Sequence, residues 1–293
     1  MAAATNTITK AEMTDAQVRE VEFVEMFNES LKKLIEALGI TRKIPKEAGT
    51  TLKTYEATGT LESGEVAEGE DIPLSKYKLV AKTYGELTLS KWRKSTTAEA
   101  IIGYGYEQAV TKTTDRMLKD AQSGIRKKFF DFLKETTDKT TATGTGLQAA
   151  VARTWAKLQT IFEDNSIDSV YFINPEDIAD YLATAKITTQ EAFGMKYIQD
   201  FLGMGTVILN SSVEVGKLYA TAKDNLVLYY IPVNGADLGE AFEFTSDETG
   251  YIGIHEVANY NNLTAEDIVV SGIDLFAEVL KGCVITTIEA VVG

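Results

Sequence analysis

The longest helical pattern in the sequence covers residues 97–135. Apolar residues recur there at three- and four-residue spacing, no proline interrupts them, and only the glycines at 103, 105 and 124 weaken the pattern. Thr96 with Glu99 predicts a capping box at its start. At about 1.5 Å per residue such a helix would be roughly 58 Å long, which exceeds the width of a compact domain of this size. The pattern therefore predicts an elongated body with this helix along it.

A long β-hairpin is predicted directly before this helix, over residues 46–94. Its tip has two glycines and five carboxylates with no basic residue among them: Glu62, Glu65, Glu68, Glu70 and Asp71. The returning arm is basic, with Lys76, Lys78 and Lys82 on one strand face and then Lys91, Arg93 and Lys94 around Trp92. Neither arm has enough apolar residues to build a core of its own.

The division of charge along the hairpin favours contact between copies of the chain. A solvated surface hairpin is the simpler interpretation, but it does not explain the length of the hairpin or its abrupt change of sign. Opposite signs allow the acidic tip of one copy to meet the basic arm of the next, head to tail. Such contacts close into rings or continue into lattices, so the pattern predicts assembly.

The rest of the sequence alternates predicted helices and strands. A helix is expected from residue 14 or 15 to Leu38, with Gly39 as its cap. Residues 136–146 (TTDKTTATGTG) have the composition of a linker. A compact α/β unit follows, with a helix at 147–162, strands at 169–173 and 206–209, a helix cap at 174–177, and a hairpin of 218–222 with 226–231. The β-rich segment from Asp267 onwards is expected to return beside the long helix.

The composition argues against several classes of function. With 43 acidic and 29 basic residues the formal charge is −14, which does not suit direct binding to nucleic acid or to an anionic membrane. The one cysteine, Cys283, excludes an intramolecular disulfide and fits a reducing cytoplasm. No run of 18 apolar residues could span a bilayer, and the first residues lack the order of a signal peptide.

No catalytic or cofactor-binding constellation is recognisable. His255 is the only histidine, so no histidine-based metal cluster can form within one chain. It is expected to be a surface or satisfied polar residue, and Cys283, in an apolar strand pattern, to be a core residue. The glycines at 144 and 146 follow a threonine-rich linker rather than a strand, so they do not fit a dinucleotide-binding loop. We expect no enzyme activity, no cofactor and no metal.

Residues 65–100 (EVAEGEDIPLSKYKLVAKTYGELTLSKWRKSTTAEA), followed by the long helix, resemble the major capsid protein of tailed bacteriophages of the Hong Kong 97 type. The order of elements is similar from about residue 14 to 293. The resemblance implies an α+β fold with five parts: an N-terminal arm (1–45), an extended hairpin called the E-loop (46–95), a peripheral or P domain with a spine helix (96–144), an inserted α/β axial or A domain (145–260) and P-domain return strands (261–293).

The function that the resemblance implies is structural. The chain would self-assemble through pentamers and hexamers into an icosahedral phage head, which encloses double-stranded DNA without sequence-specific binding. The E-loop would lie across the neighbouring subunit, so the charged hairpin residues named above would form an interface. The N-terminal arm would reach adjacent subunits; it is too short to include a long cleaved scaffolding segment, which implies a separate scaffolding protein beside the portal. Assembly would take place in the host cytoplasm, without a membrane.

Two alternatives remain open from the sequence. An encapsulin-type bacterial compartment shares the fold but encloses a cargo enzyme. An acidic cytoplasmic α/β enzyme could use the hairpin for dimerisation. The first would form a closed shell around protein, and the second a small discrete oligomer with a polar pocket in residues 145–260.

Overall fold

The computed structural model describes residues 15–135, 138–163, 167–184, 189–235, 238 and 241–290. The helices of these residues are α1 (Asp15–Leu38), α2 (Ala98–Tyr104), α3 (Lys112–Lys134), α4 (Leu147–Ile161) and α5 (Pro175–Thr184). The predicted first helix and the helix from residue 147 are confirmed. None of the helices in the described part of the chain is long and apolar enough to cross a membrane.

The strands of the described residues form four sheets. The largest has seven strands in the order β5 (Thr140–Thr145), β15 (Val284–Glu289), β10 (Lys217–Ala222), β6 (Ser169–Ile173), β9 (Gly205–Leu209), β8 (Met195–Ile198) and β7 (Gln190–Ala192). Two sheets have three strands: β1 (Arg42–Pro45), β11 (Leu226–Tyr230) and β14 (Ile273–Ala277), and β12 (Ile252–Asn259), β13 (Thr264–Ser271) and β4 (Ser90–Thr97). The fourth pairs β2 (Thr51–Thr60) with β3 (Lys76–Glu86).

The seven-stranded sheet lies between two layers of helices. Its central strand β6 is buried at every position, which is typical of a strand covered on both faces. On one face it packs with Leu158 of α4 and Ile178 of α5. On the other, Phe172 makes edge contacts with Phe129 and Phe130 of α3, with ring centroids 5.3 and 5.6 Å apart. These aromatic contacts join α3 to the sheet.

The long helix is interrupted near its start. Helix α2 ends at Gly105, whose φ of 80° and ψ of 153° are not helical, and a π-helical turn at Glu107–Thr111 then leads into α3. The prediction of one continuous helix over 97–135 is therefore wrong in its first third. Gly105 can interrupt the helix because glycine adopts this backbone conformation without steric cost. The predicted cap is also shifted by one residue: Thr97 accepts the bond from the Ala100 N–H, and Thr96 is buried in β4.

Helix α1 belongs to the core of its own chain. Its buried face includes Phe23, Phe27 and Leu31, and the Phe27 ring meets Phe193 edge-on at 5.6 Å. Strand β1 then pairs in parallel with β11. The described part of residues 1–45 is thus packed on the body rather than extended as an arm, because its apolar stripe finds a complementary surface within the chain. Residues 1–14 lie outside the described residues.

Three sequence interpretations of the second half need correction. The predicted linker contains β5, which pairs in parallel with β15, so Gly144 lies within a strand and Gly146 directly follows it; Gly144 packs closely against Ala150 of α4. Strands β10 and β11 do not form a hairpin, because they enter different sheets. The C-terminal segment is divided: β14 contacts α3, as expected, whereas β13 pairs with β4 and β15 enters the seven-stranded sheet.

Asp274 on β14 gives the fold a pH-dependent stability. Burial raises its pKa from 3.8 to about 6, against the opposing effects of Lys128 and the Leu275 N–H. The folded state binds this proton more tightly than the unfolded state, so this contribution to stability falls as pH rises from about 4 to 6. At about 1.4 kcal/mol per pKa unit, Asp274→Asn should raise the free energy of unfolding at pH 7 by up to about 3 kcal/mol.

The measurement is urea unfolding of the purified chain at pH 4.5 and pH 7. The gain from Asp274→Asn should be present at pH 7 and small at pH 4.5. An equal gain at both pH values would show that the effect does not come from ionisation of Asp274.

Candidate assembly interface

The predicted hairpin forms a separate two-stranded ribbon. Strands β2 and β3 are antiparallel from Thr60 opposite Lys76 to Thr51 opposite Glu86, with one irregularity between Leu52 and Lys53. Within the described residues this ribbon pairs with no third strand. An isolated two-stranded ribbon is marginally stable in water, so a ribbon of this length needs a further surface to pack on.

One face of the ribbon is apolar and exposed. Tyr55, Tyr77 and Leu79 lie on this face, because alternate residues of a strand share a face and the register places Tyr55 on the same side as the other two. Leu79 is 75% exposed. The Tyr77 ring lies over Gly59, where a Cβ atom would be 2.6 Å from the ring. The connecting segment adds Leu74, which is 94% exposed. Contiguous exposed apolar surface of this kind marks an interaction site.

The charged residues of the hairpin are exposed where the structure describes them. All five tip carboxylates are in contact with solvent (Glu62, Glu65, Glu68, Glu70 and Asp71), as are Lys76 and Lys78. Lys78 lies opposite Thr58, and Lys82 lies opposite Thr54. The side chain of Lys82 falls outside the described part of the chain.

The last three basic residues of the predicted arm do not belong to the ribbon. Lys91, Arg93 and Lys94 lie on β4, which pairs with β13. The Arg93 guanidinium binds both carboxylate oxygens of Glu266, at 2.7 and 3.1 Å, and the pair holds the pKa of the Glu266 carboxyl below its usual range. Lys91 is exposed.

Lys94 is occupied inside its own chain. Its ammonium is 2.7 Å from the buried Asp267 carboxylate and also donates to the Val110 carbonyl and the Thr114 hydroxyl. These bonds join β4 and β13 to the start of α3. The basic arm expected from the sequence is therefore smaller and consists of the lysines of β3 and Lys91. Arg93 is not counted, because its charge is already paired.

The similarity of this chain to known proteins lies in its structure. No protein-family model and no curated protein sequence matches the chain. A virus-like particle from Pyrococcus furiosus matches with a TM-score of 0.52 at 12% identity, covering 92% of this chain and 99% of the other. A chain of Gordonia phage Cozz matches with a TM-score of 0.55 at 11% identity, covering 89% of this chain and 87% of the other. A chain of the cyanophage A-1(L) capsid matches with a TM-score of 0.54 at 10% identity, covering 87% of this chain and 92% of the other. The chain has the Hong Kong 97-type capsid fold.

The one cysteine and the one histidine of the sequence have ordinary structural positions in this fold. Cys283 is buried, and burial raises its pKa to about 11, so it is a core cysteine as predicted. His255 is half-buried on β12, with its Nδ1 3.9 Å from a carboxylate oxygen of Glu20. No group of three or more metal-ligating side chains occurs in the described ranges.

A cleft that the sequence did not indicate lies between α3 and the β7–β8 hairpin. It has a volume of about 640 Å³ and contains Arg126 and Lys196 together with Asn210, Ser211 and Ser212. Arg126 is part of an amphipathic helix in the sequence, and nothing local distinguishes it from the other basic residues of α3. Only its position at the border of the buried face, next to Ile125, could have drawn attention to it.

Proposed function

We propose that this protein is a structural capsid subunit, which self-assembles through pentamers and hexamers into the icosahedral head of a tailed phage around double-stranded DNA. The observation that carries the proposal is the exposed ribbon: a two-stranded hairpin with an apolar face and a charged tip, and no further strand partner within the described chain. A surface of this kind is stabilised when a second copy covers it. The shared capsid fold supports the same conclusion.

The parts of the subunit have distinct roles in this proposal. The ribbon of β2 and β3 is the E-loop and lies across the neighbouring subunit. Helix α3 is the spine of the P domain, which also includes β4, β12 and β13. The seven-stranded sheet forms the A domain, with tips that meet around five- and six-fold axes. A scaffolding protein and a portal would be its assembly partners, and the packaged DNA would be enclosed without base recognition.

The charges of the E-loop divide into two groups. The tip carboxylates and the lysines at 76, 78 and 82 are the charges proposed to meet neighbouring subunits, with Lys91 beside them. Arg93 and Lys94 instead hold β4 to β13 through Glu266 and Asp267. We propose that both residues keep these partners in the shell. If either cation turned to another subunit, it would leave a buried carboxylate unpaired, which would cost free energy.

A second candidate is a shell that encloses protein rather than DNA, of the encapsulin type. The match to the Pyrococcus furiosus virus-like particle, in which 99% of that chain is covered, supports a closed shell of either kind. The contents of the particle separate the two candidates. A phage head assembled in its host would contain double-stranded DNA, and a compartment would contain a co-purifying protein.

Electron microscopy of the purified protein at low and moderate salt tests the proposal, with and without a scaffolding partner. We expect closed shells, tubes, or rings of five and six subunits. A uniform dimer or tetramer under every condition would contradict it and favour the third candidate, an acidic cytoplasmic enzyme with a dimerisation hairpin.

A further inference from the structure

The cleft between α3 and the β7–β8 hairpin is cationic in an acidic protein. Its described lining includes Arg126 and Lys196 but no aspartate or glutamate, although the chain has 14 more acidic than basic residues. The other polar groups are hydroxyls and an amide: Ser123, Thr189, Asn210, Ser211 and Ser212. A cleft with this lining attracts an anion.

Arg126 has no carboxylate partner among the described residues. One of its terminal nitrogens donates to the Phe193 carbonyl, and the guanidinium lies 5.9 Å from the centre of the Phe193 ring. A guanidinium has five N–H donors, so most of its hydrogen-bonding capacity is not used by the described residues. It is half-buried, and this burial lowers its pKa because the charged form loses hydration.

The backbone holds this guanidinium in place. Gly194 has a φ of +70°, and a Cβ atom there would be 2.7 Å from the nearest terminal nitrogen of Arg126. The absence of a side chain at 194 therefore lets the charged group lie against the β7–β8 turn. A planar guanidinium fixed in this way can bind a carboxylate through two parallel hydrogen bonds.

The acidic tip of the hairpin has the complementary properties. Residues 62–71 contain five exposed carboxylates, and Gly64 and Gly69 leave the backbone adaptable. Strand β3 has 11 residues, so at about 3.3 Å per residue the ribbon is about 36 Å long. It is long enough to place the tip on the surface of an adjacent subunit.

We propose that the cleft at Arg126 binds carboxylates of the hairpin tip, residues 62–71, from a second copy of the chain. This inference rests on the proposed shell function and adds the acceptor site for the E-loop. Arg126 provides the directional contact, Lys196 adds positive charge at the exposed rim, and the serine hydroxyls can donate to the bound carboxylate. The tip thus has a specific site on its neighbour rather than a diffuse basic surface.

A disulfide test uses the reactivity of introduced cysteines. In assembled particles of the Glu68→Cys, Ser211→Cys chain, mild oxidation should give a ladder of covalently linked chains on a non-reducing gel. Background from Cys283 is low because this thiol is buried and its pKa is about 11. The matched control combines Glu68→Cys with Thr160→Cys, an exposed position on α4 that borders a different cleft.

The possible outcomes separate this inference from the proposed function. A ladder in the first chain and none in the control supports the cleft as the acceptor. Shells without a ladder, or with an equal ladder in both chains, overturn the cleft and leave the shell function intact. If the unmodified chain builds no shell, the proposed function fails and this inference with it.

A second measurement is independent of particle formation. A labelled peptide with the sequence of residues 61–75 should bind the unassembled full chain, and fluorescence anisotropy reports the binding. Arg126→Gln should weaken it by about tenfold or more, equivalent to about 1.4 kcal/mol, with unchanged helicity by circular dichroism. Equal affinity of the peptide for both chains would contradict the role of Arg126. If inorganic phosphate does not displace the peptide, a general anion site is excluded as the explanation.

Discussion

Joining Thr60 to Lys76 through an Asn-Gly turn should give a chain that folds normally and builds no shells. The two residues are directly opposite in the ribbon, so a two-residue turn can connect them without distortion. The hydrogen bonds of the removed residues, 61–75, to other described residues stay within the segment; the Glu62 N–H, for example, donates to the Ser75 hydroxyl. Unfolding of the isolated subunit should therefore change little.

Assembly should change greatly, because the deletion removes the tip carboxylates and the exposed Leu61, Ile72 and Leu74. We expect more than about a tenfold loss of shell yield, since each 1.4 kcal/mol of lost contact energy is a factor of ten in an equilibrium constant. Sedimentation and electron microscopy measure the yield, and circular dichroism and thermal unfolding verify the fold. Shells at the normal yield would show that the tip is not an assembly interface.

A control of the same length separates charge from contact area. In this control the four tip glutamates become glutamine and Asp71 becomes asparagine, so that the tip keeps its size and loses its charge. If charge is the main attraction, the neutral tip should assemble poorly at every salt concentration, while assembly of the native chain should weaken as salt rises. Normal assembly of the neutral tip would assign the interface to the apolar residues instead.

The sequence predicted the elements that depend on local pattern. Helix α4 and strand β6 have the expected bounds within one residue, and Asn174 caps α5 by accepting the Glu176 N–H at 3.0 Å. The ribbon was recognisable because its alternation and its charge are both local properties. These are also the features that led to the capsid resemblance, so the fold class could be predicted from them.

The errors occur where the decisive partner is distant in sequence. Residues 140–145 resemble a linker until β15, more than 130 residues later, provides a parallel partner. Strands β10 and β11 are almost completely buried, so neither has a polar face to indicate its sheet. Arg93 and Lys94 look like interface charges because Glu266 and Asp267 lie about 170 positions away. The cleft at Arg126 is missed for the same reason, since α3 and the β7–β8 hairpin meet only in the fold.

Lys94→Met should destabilise the subunit by about 3–5 kcal/mol, the usual cost of leaving one partner of a buried ion pair uncompensated. Asp267 is 1% exposed, and its Oδ2 accepts from Lys94 and from the Thr114 hydroxyl, both at 2.7 Å. Its Oδ1 is buried without a hydrogen-bond partner in the described part of the chain, so after the loss of the ammonium the Thr114 hydroxyl is the hydrogen-bond donor that remains at this carboxylate. Urea unfolding of the unassembled chain measures the change.

A double-mutant cycle identifies the source of the loss. Asp267→Asn in the Lys94→Met background removes the stranded charge and should recover part of the lost stability, because an amide is less costly to bury than a carboxylate. The matched comparison is Lys91→Met, three residues earlier on β4, where the side chain is exposed and its loss should matter much less. Similar losses for Lys94→Met and Lys91→Met would contradict the burial argument. A large difference would show that this part of the basic arm stabilises the subunit itself, and that the E-loop charges proposed for assembly begin with the lysines of β3.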